Sequence, residues 1–273
     1  VPLPCSDVAI LMSDIRTRYL SDTEAERLYR NHPKMGRSYL KYCPTCDKTG
    51  TYFWRDKDNE CDCEYQLQLH KHYLAAGIGL TYQRLDWDDY AGPTSALDTL
   101  TKYLDKREQF LKRGMGLYFL GDFGTGKTML ANLVLKELVK DGLTCWATTF
   151  SQTVEMFTAG WSDKADKNYF QTKFINSQVL LLDDVGRELR GTRISLAETT
   201  FDAILRQRVQ AGRTTFITTN MTPDELEDGY GAAILSLIRE KNLVLTFDGN
   251  DFRGTANDRE VSEVFKGEVR PIV

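Results

Sequence analysis

Apolar positions along the chain follow two regimes, and the change falls near residue 77. In residues 7–20 (DVAILMSDIRTRYL), Val8, Leu11, Met12, Ile15 and Tyr19 recur at helical spacing. Ser21-Asp22-Thr23-Glu24 has the spacing of a capping box and predicts a second short helix through Arg30, broken by Asn31-His32-Pro33. A cysteine-bearing segment runs from 43 to 63, and a polar, helix-like stretch follows from Glu64 to Ala76. Gly77-Ile78-Gly79 marks the predicted boundary between an N-terminal domain, 1–76, and a larger one, 77–273.

Beyond that boundary, short apolar runs alternate with amphipathic stretches. A helix is predicted over 94–112, then a strand over Gly116–Leu120, a glycine turn and a helix over Thr128–Lys140 ended by Asp141-Gly142. A second strand covers Leu143–Thr148, with helical material from 151 to 176. The four consecutive aliphatics Val179–Leu182 read as a strand covered on both faces, as parallel sheets are. Helices over 195–210, from 223 and over 231–240 alternate with strands at Thr214–Thr218 and Leu243–Phe247. Five strands interleaved with helices predict an α/β fold: a parallel five-stranded sheet flanked by helices, with right-handed crossovers.

Composition narrows the class. The chain has 273 residues, 41% hydrophobic and 27% charged, an ordinary globular balance. Its net charge of −4 divides evenly, −2 in residues 1–90 and −2 in 91–273. That excludes a basic protein coating nucleic acid and an acidic tail, and leaves room for a local basic groove. No apolar run reaches the ~18 residues of a membrane span. Val1-Pro2-Leu3-Pro4 lacks the regions of a signal peptide, so a cytoplasmic protein without membrane contact is expected.

The strongest chemical signal is Gly121-Asp122-Phe123-Gly124-Thr125-Gly126-Lys127-Thr128, which fits G-x-x-x-x-G-K-[ST] between a strand and a helix. Gly121, Gly124, Thr125 and Gly126 allow backbone N–H groups to turn toward phosphates, and the helix N-terminus adds its positive end. Lys127 is expected on the β and γ phosphates, and the Thr128 hydroxyl on Mg²⁺. The strand 179–182 ends in Asp183-Asp184, which puts a carboxylate beside this loop as a Walker B strand does. Asp183 is expected to hold Mg²⁺. Asp184 stands where many such ATPases carry a water-polarising glutamate, and its shorter side chain predicts slow hydrolysis. Asn220 follows the next strand, where an amide can bond the attacking water or the γ-phosphate; by itself an Asn there reads as a turn residue.

The series GDFGTGKT, LLLDDVG, TTFITTN and FDGNDFR, with Gly77-Ile78-Gly79-Leu80 before it, resembles the AAA+ helicase loaders of the DnaC/DnaI type over roughly residues 77–255. Transposition helper ATPases of the IstB type are close relatives of that family. The resemblance implies an AAA+ P-loop ATPase that is partner- or DNA-regulated. It would assemble into a multimer with ATP and deliver the hexameric replicative helicase onto single-stranded DNA. The alternative is a helper that assembles on duplex DNA and recruits a transposase. A third class, a small-molecule P-loop kinase, predicts lid arginines that the sequence does not display. The family usually has an arginine near Ser236-Leu237-Ile238, where it reaches a neighbouring subunit's ATP; here Arg239 is the nearest arginine-finger candidate, and a solvated helix-end arginine is the plainer alternative. Arg253 matches a family arginine without an assigned role.

Cys43, Cys46, Cys61 and Cys63 fall in the pattern C-x₂-C-x₁₄-C-x-C. Four thiolates in two close pairs fit a tetrahedral structural Zn²⁺. Disulfides, free thiols or an iron–sulfur cluster are the alternatives, and His70 or His72 could replace one sulfur. The segment also resembles the zinc-bearing N-terminal region of some loaders, which implies docking on the helicase. Residues 161–174 occupy the position of a helical insertion that tracks single-stranded DNA in initiators and loaders, with Lys167, Phe170 and Lys173 as candidate DNA contacts. An amphipathic helix with its aromatic residues in the core is the competing reading of the same pattern.

Overall fold

The structure is a computed structural model, and it describes residues 51–54, 57–60, 62–159, 164–186, 194–266, 270 and 272–273. The helices expected over 7–20 and 21–30, together with Cys43, Cys46, Cys61 and the side chain of Cys63, lie outside the described residues. The described residues pack as two compact units. One takes those of 51–85, 136–143 and 270–273; the other takes those of 86–135 and 144–266. Among the described residues, no helix is long and apolar enough to cross a membrane.

In the first unit, β1 (Thr51–Trp54) pairs antiparallel with β2 (Lys57–Glu60), a hairpin that the polar sequence KDNE gave no reason to expect. Helix α1 (Asp62–Ala75) realises the expected polar helix and buries Leu67, Leu69 and Tyr73. It ends in a Schellman turn: Gly77 adopts φ +74°, its N–H bonds Leu74 O, and the Ile78 N–H bonds Tyr73 O. The glycine that marked a boundary in the sequence is thus a helix stop. Beyond it lies the short helix α2 (Leu80–Gln83).

Polar side chains fill part of this unit's interior. His70 Nδ1 and Gln83 Oε1 are 2.6 Å apart, and Gln83 Nε2 donates to Ile78 O. Buried Lys136 donates to Leu85 O at 2.6 Å, with its ammonium 5.6 Å from the centre of the Tyr73 ring. Burial of such groups is tolerated because each finds an acceptor.

In the second unit, the predicted helix over 94–112 is two helices, α3 (Thr94–Asp105) and α4 (Arg107–Lys112), which meet at Lys106 with φ −110° and ψ 17°. Strand β3 (Gly116–Gly121) leads into helix α5 (Lys127–Lys140), whose residues from 136 belong to the first unit. There follow β4 (Cys145–Thr149), α6 (Phe150–Ala159), α7 (Lys164–Phe170) and a π-helical turn over Gln171–Ile175. Next come β5 (Val179–Val185), α8 (Ile194–Gln210), β6 (Thr214–Thr219), α9 (Pro223–Tyr230), α10 (Ala232–Lys241) and β7 (Asn242–Phe247). Helix α11 (Arg253–Lys266), which the apolar pattern does not predict, buries none of its residues.

The sheet has the order β4-β5-β6-β3-β7, and every pairing is parallel. All five strands therefore point their C-terminal ends to one edge, where open α/β sheets bind ligands. On one face, Phe150, Phe170, Phe174, Phe201 and Tyr230 pack with Leu180, Leu182 and Ile217. Arg208 of α8 is fully buried there. Its guanidinium donates to Phe174 O, Ile175 O, Ser177 O, Ser177 Oγ, Thr214 O and Thr215 Oγ1, tying the π-turn to the start of β6.

Candidate functional site

The loop between β3 and α5 is shaped by its glycines. Gly124 and Gly126 have φ of +73° and +89°, and a side chain on Gly124 would run into the Asp251 carboxylate. Lys127 is 6% exposed, and its ammonium donates to Gly121 O at 2.8 Å and Asp122 O at 2.5 Å. Burial lowers its pKa, with Arg253 adding to the effect, while Asp122, Asp184 and Asp183 oppose it. The ammonium is therefore held at the loop, where the sequence leads one to expect phosphates. The end of β7 and the segment after it brace the same loop: Asp122 N donates to Phe247 O, and Phe252 N to Gly124 O.

Asp183 and Asp184 leave β5 next to this loop. The Thr128 hydroxyl donates to Asp183 Oδ1 at 2.8 Å, which brings the two expected magnesium ligands together. Burial raises the Asp183 pKa, while hydrogen bonds from Thr218 and Thr128 counter the shift. A hydroxyl and a carboxylate this close, beside a lysine and a helix N-terminus, form the hard oxygen donor set that suits Mg²⁺ carried on phosphates.

The strands do not run past the acids in simple register. Leu182 pairs with Ile217 and Val185 with Thr219, so Asp183 and Asp184 both face Thr218. This is a β-bulge, a device that re-aims side chains at strand ends. Asp184 takes φ +57°, the only positive φ outside glycine among the described residues. Its N–H bonds Thr218 Oγ1, and its Oδ1 accepts from Asn220 Nδ2 at 3.0 Å. Lys127, Thr128, Asp183, Asp184 and Asn220, scattered over 94 positions of sequence, meet at one edge of the sheet.

Thr218 was missed in the sequence. Threonine is a common strand former, and only the register shows that its hydroxyl faces both acids.

The remaining candidates are placed differently. Arg239 lies exposed in the last turn of α10, while Leu237, before it, packs partly into the core. Arg253 opens α11, near enough for its charge to act on Lys127. Phe170, expected on DNA, is instead buried and stacked on Phe174 with ring centres 4.5 Å apart; spacing of i and i+4 put both rings on the core face. Lys173 sits over the Trp146 ring, 4.7 Å from its centre, and Lys167 is exposed.

Residues 117–231 match the ATPase family associated with various cellular activities (AAA). The replicative helicase loader DnaI of Bacillus subtilis (strain 168) is 26% identical over 151 residues, 55% of this chain. The match spans 47% of that protein, about half its length. The crystal structure of the DnaC helicase loader superposes with a TM-score of 0.56 at 25% identity, covering 62% of this chain and all of that one. The replication initiator DnaA bound to AMPPCP and single-stranded DNA shares the fold, with a TM-score of 0.53 at 19% identity over 68% of this chain and 56% of that one. From Leu117 to Gly231 the chain is accordingly similar to AAA-family ATPases, with a sequence likeness to the DnaI helicase loader and a fold likeness to the DnaC helicase loader.

Proposed function

We infer that the chain is an ATP-switched loader that binds a replicative helicase and delivers it onto single-stranded DNA. The observation that carries the ATPase part is the meeting of Lys127, Thr128, Asp183, Asp184 and Asn220 at the ends of β3, β5 and β6. Lys127 would hold the phosphates, and Thr128 and Asp183 would hold Mg²⁺, which neutralises charge on the phosphates when bound. Asp184, steered by Asn220, would orient the attacking water. The water oxygen bonds to the γ-phosphorus, the bond to the β-phosphate oxygen breaks with its electron pair, and ADP and phosphate leave. The short Asp184 side chain favours slow turnover that a partner or DNA regulates.

The loader part is supported by the likeness to DnaI and DnaC. On this reading residues 1–76 form the helicase-docking domain, with Zn²⁺ held by Cys43, Cys46, Cys61 and Cys63, and residues 77–273 form the ATPase. Arg239 would act across a subunit boundary in an ATP-bound multimer. Lys167 would contact DNA phosphates from the exposed side of α7, and Lys173 would add charge beside Trp146.

Fluorescence anisotropy with matched single- and double-stranded oligonucleotides, with and without a non-hydrolysable ATP analogue, tests the reading. ATP-dependent preference for the single strand is expected. Preference for the duplex would favour a transposition helper, and no response to DNA in either state would reject both. Metal content measured on protein purified without added zinc tests the cysteine site: about one equivalent is expected from four thiolates, and thiols linked as disulfides without metal would reject it.

A further inference from the structure

We propose that Thr218 is a positioning residue of the ATPase site: its hydroxyl fixes the Asp183 carboxylate and ties the bulge that aims Asp184 at Asn220. The assignment rests on the ATPase reading above. Thr218 lies on β6, 2% exposed, opposite both acids of β5. Its Oγ1 donates to Asp183 Oδ1 at 2.6 Å and accepts the Asp184 N–H at 2.9 Å. One hydroxyl thereby uses its proton on the expected metal ligand and a lone pair on the backbone of the expected water-orienting residue.

The consequence is geometric. A strand bulge leaves one N–H without its ladder acceptor, and a non-glycine residue at φ +57° is strained. The Thr218 hydroxyl supplies the missing acceptor, so the strained turn persists and Asp184 reaches Asn220. With Thr218 and Thr128 both donating to Oδ1 of Asp183, the carboxylate is fixed in orientation. The neighbouring threonine repeats the device one step on: Thr219 Oγ1 donates to Val185 O at 2.6 Å and accepts the Met221 N–H. Paired threonine hydroxyls thus replace ladder bonds where β5 leaves regular register.

The test is Thr218→Val, which keeps the buried branched shape and removes the hydroxyl, against Thr218→Ser, which keeps the hydroxyl. Thr218→Ala serves if the valine chain does not fold. Supporting groups of this kind change metal affinity or activity by about 10–100-fold. The expected result for Thr218→Val is a kcat drop in that range and a higher Mg²⁺ concentration for half-maximal rate, with metal-free ATP affinity within about twofold. Thr218→Ser should stay close to wild type. Unchanged kcat and Mg²⁺ dependence in Thr218→Val would overturn the assignment, as would equal losses in the valine and serine variants. If the wild type binds ATP but turns it over too slowly to follow, the Mg²⁺ enhancement of ATP affinity is compared instead, with the same outcomes deciding. A wild type that binds no ATP would bring down the ATPase reading itself, and the assignment with it.

Discussion

The Asn220 side-chain amide donates to the Asp184 carboxylate at 3.0 Å, joining the residue after β6 to a residue on the bulge of β5. The bond gives Asn220 a partner in the site, which a simple turn residue would not have. Replacement by Ala should leave ATP binding nearly intact and lower hydrolysis by at least about tenfold, since a misdirected water-orienting group costs catalysis more than affinity. Single-turnover hydrolysis beside equilibrium binding separates the two. Equal loss of both would show that Asn220 supports the fold instead.

Arg208 carries a different kind of weight. Its six acceptors are carbonyl and hydroxyl oxygens in the core between the π-turn and β6. Arg208→Ala leaves several of them buried without a donor, at about 1–3 kcal/mol each, so a loss of at least ~4 kcal/mol is expected. Lysine should rescue little, because a single ammonium cannot reproduce the planar fork. Denaturant unfolding of both variants checks this. A stable Arg208→Ala chain would contradict the packing described.

The two DNA candidates on α7 should part company. Phe170 stacks inside the core, and truncation to Ala should cost about 3–5 kcal/mol of stability. Lys167 is exposed, and its replacement by Ala should leave stability within about 0.5 kcal/mol while weakening DNA binding and flattening its salt dependence. Thermal melts and anisotropy at two salt concentrations distinguish them.

His72 sets a pH dependence in the first unit. Burial, reinforced by Lys71, lowers its pKa to about 4. The folded chain therefore binds fewer protons at His72 than the unfolded chain, whose histidine titrates near 6.5. The stabilisation is complete above about pH 6.5 and is lost as pH falls toward 4, by up to ~3 kcal/mol. His72→Gln should remove that part of the slope. Identical pH profiles for the two chains would refute it.

How much of this was legible in the sequence depends on the range of the interaction. The phosphate loop was, because its glycines, lysine and threonine act through local backbone geometry. The Val179–Leu182 strand was, because a four-residue aliphatic run fits a buried strand ended by acids. The bulge was not: Asp183-Asp184 reads as an ordinary strand end, and only the pairing of β5 with β6 places Thr218 opposite both acids. Phe170 reads either as a DNA contact or as a core residue, because an amphipathic segment does not declare which face is buried, and the structure puts it in the core. Helix α11 gave no signal, since Val261, Val264 and Phe265 are exposed in a largely polar stretch. The β1–β2 hairpin was hidden for a related reason, its second strand being wholly polar.

The most direct measurement is a titration of wild type and Lys127→Ala with a fluorescent ATP analogue in the presence of Mg²⁺. Lys127 is buried in the loop with its ammonium bonded to Gly121 O and Asp122 O, and the site as described depends on that charge. Saturable binding by wild type, weakened at least about tenfold by the substitution, is the predicted result. Equal affinity in the two proteins would contradict the phosphate-loop assignment on which the proposed function stands.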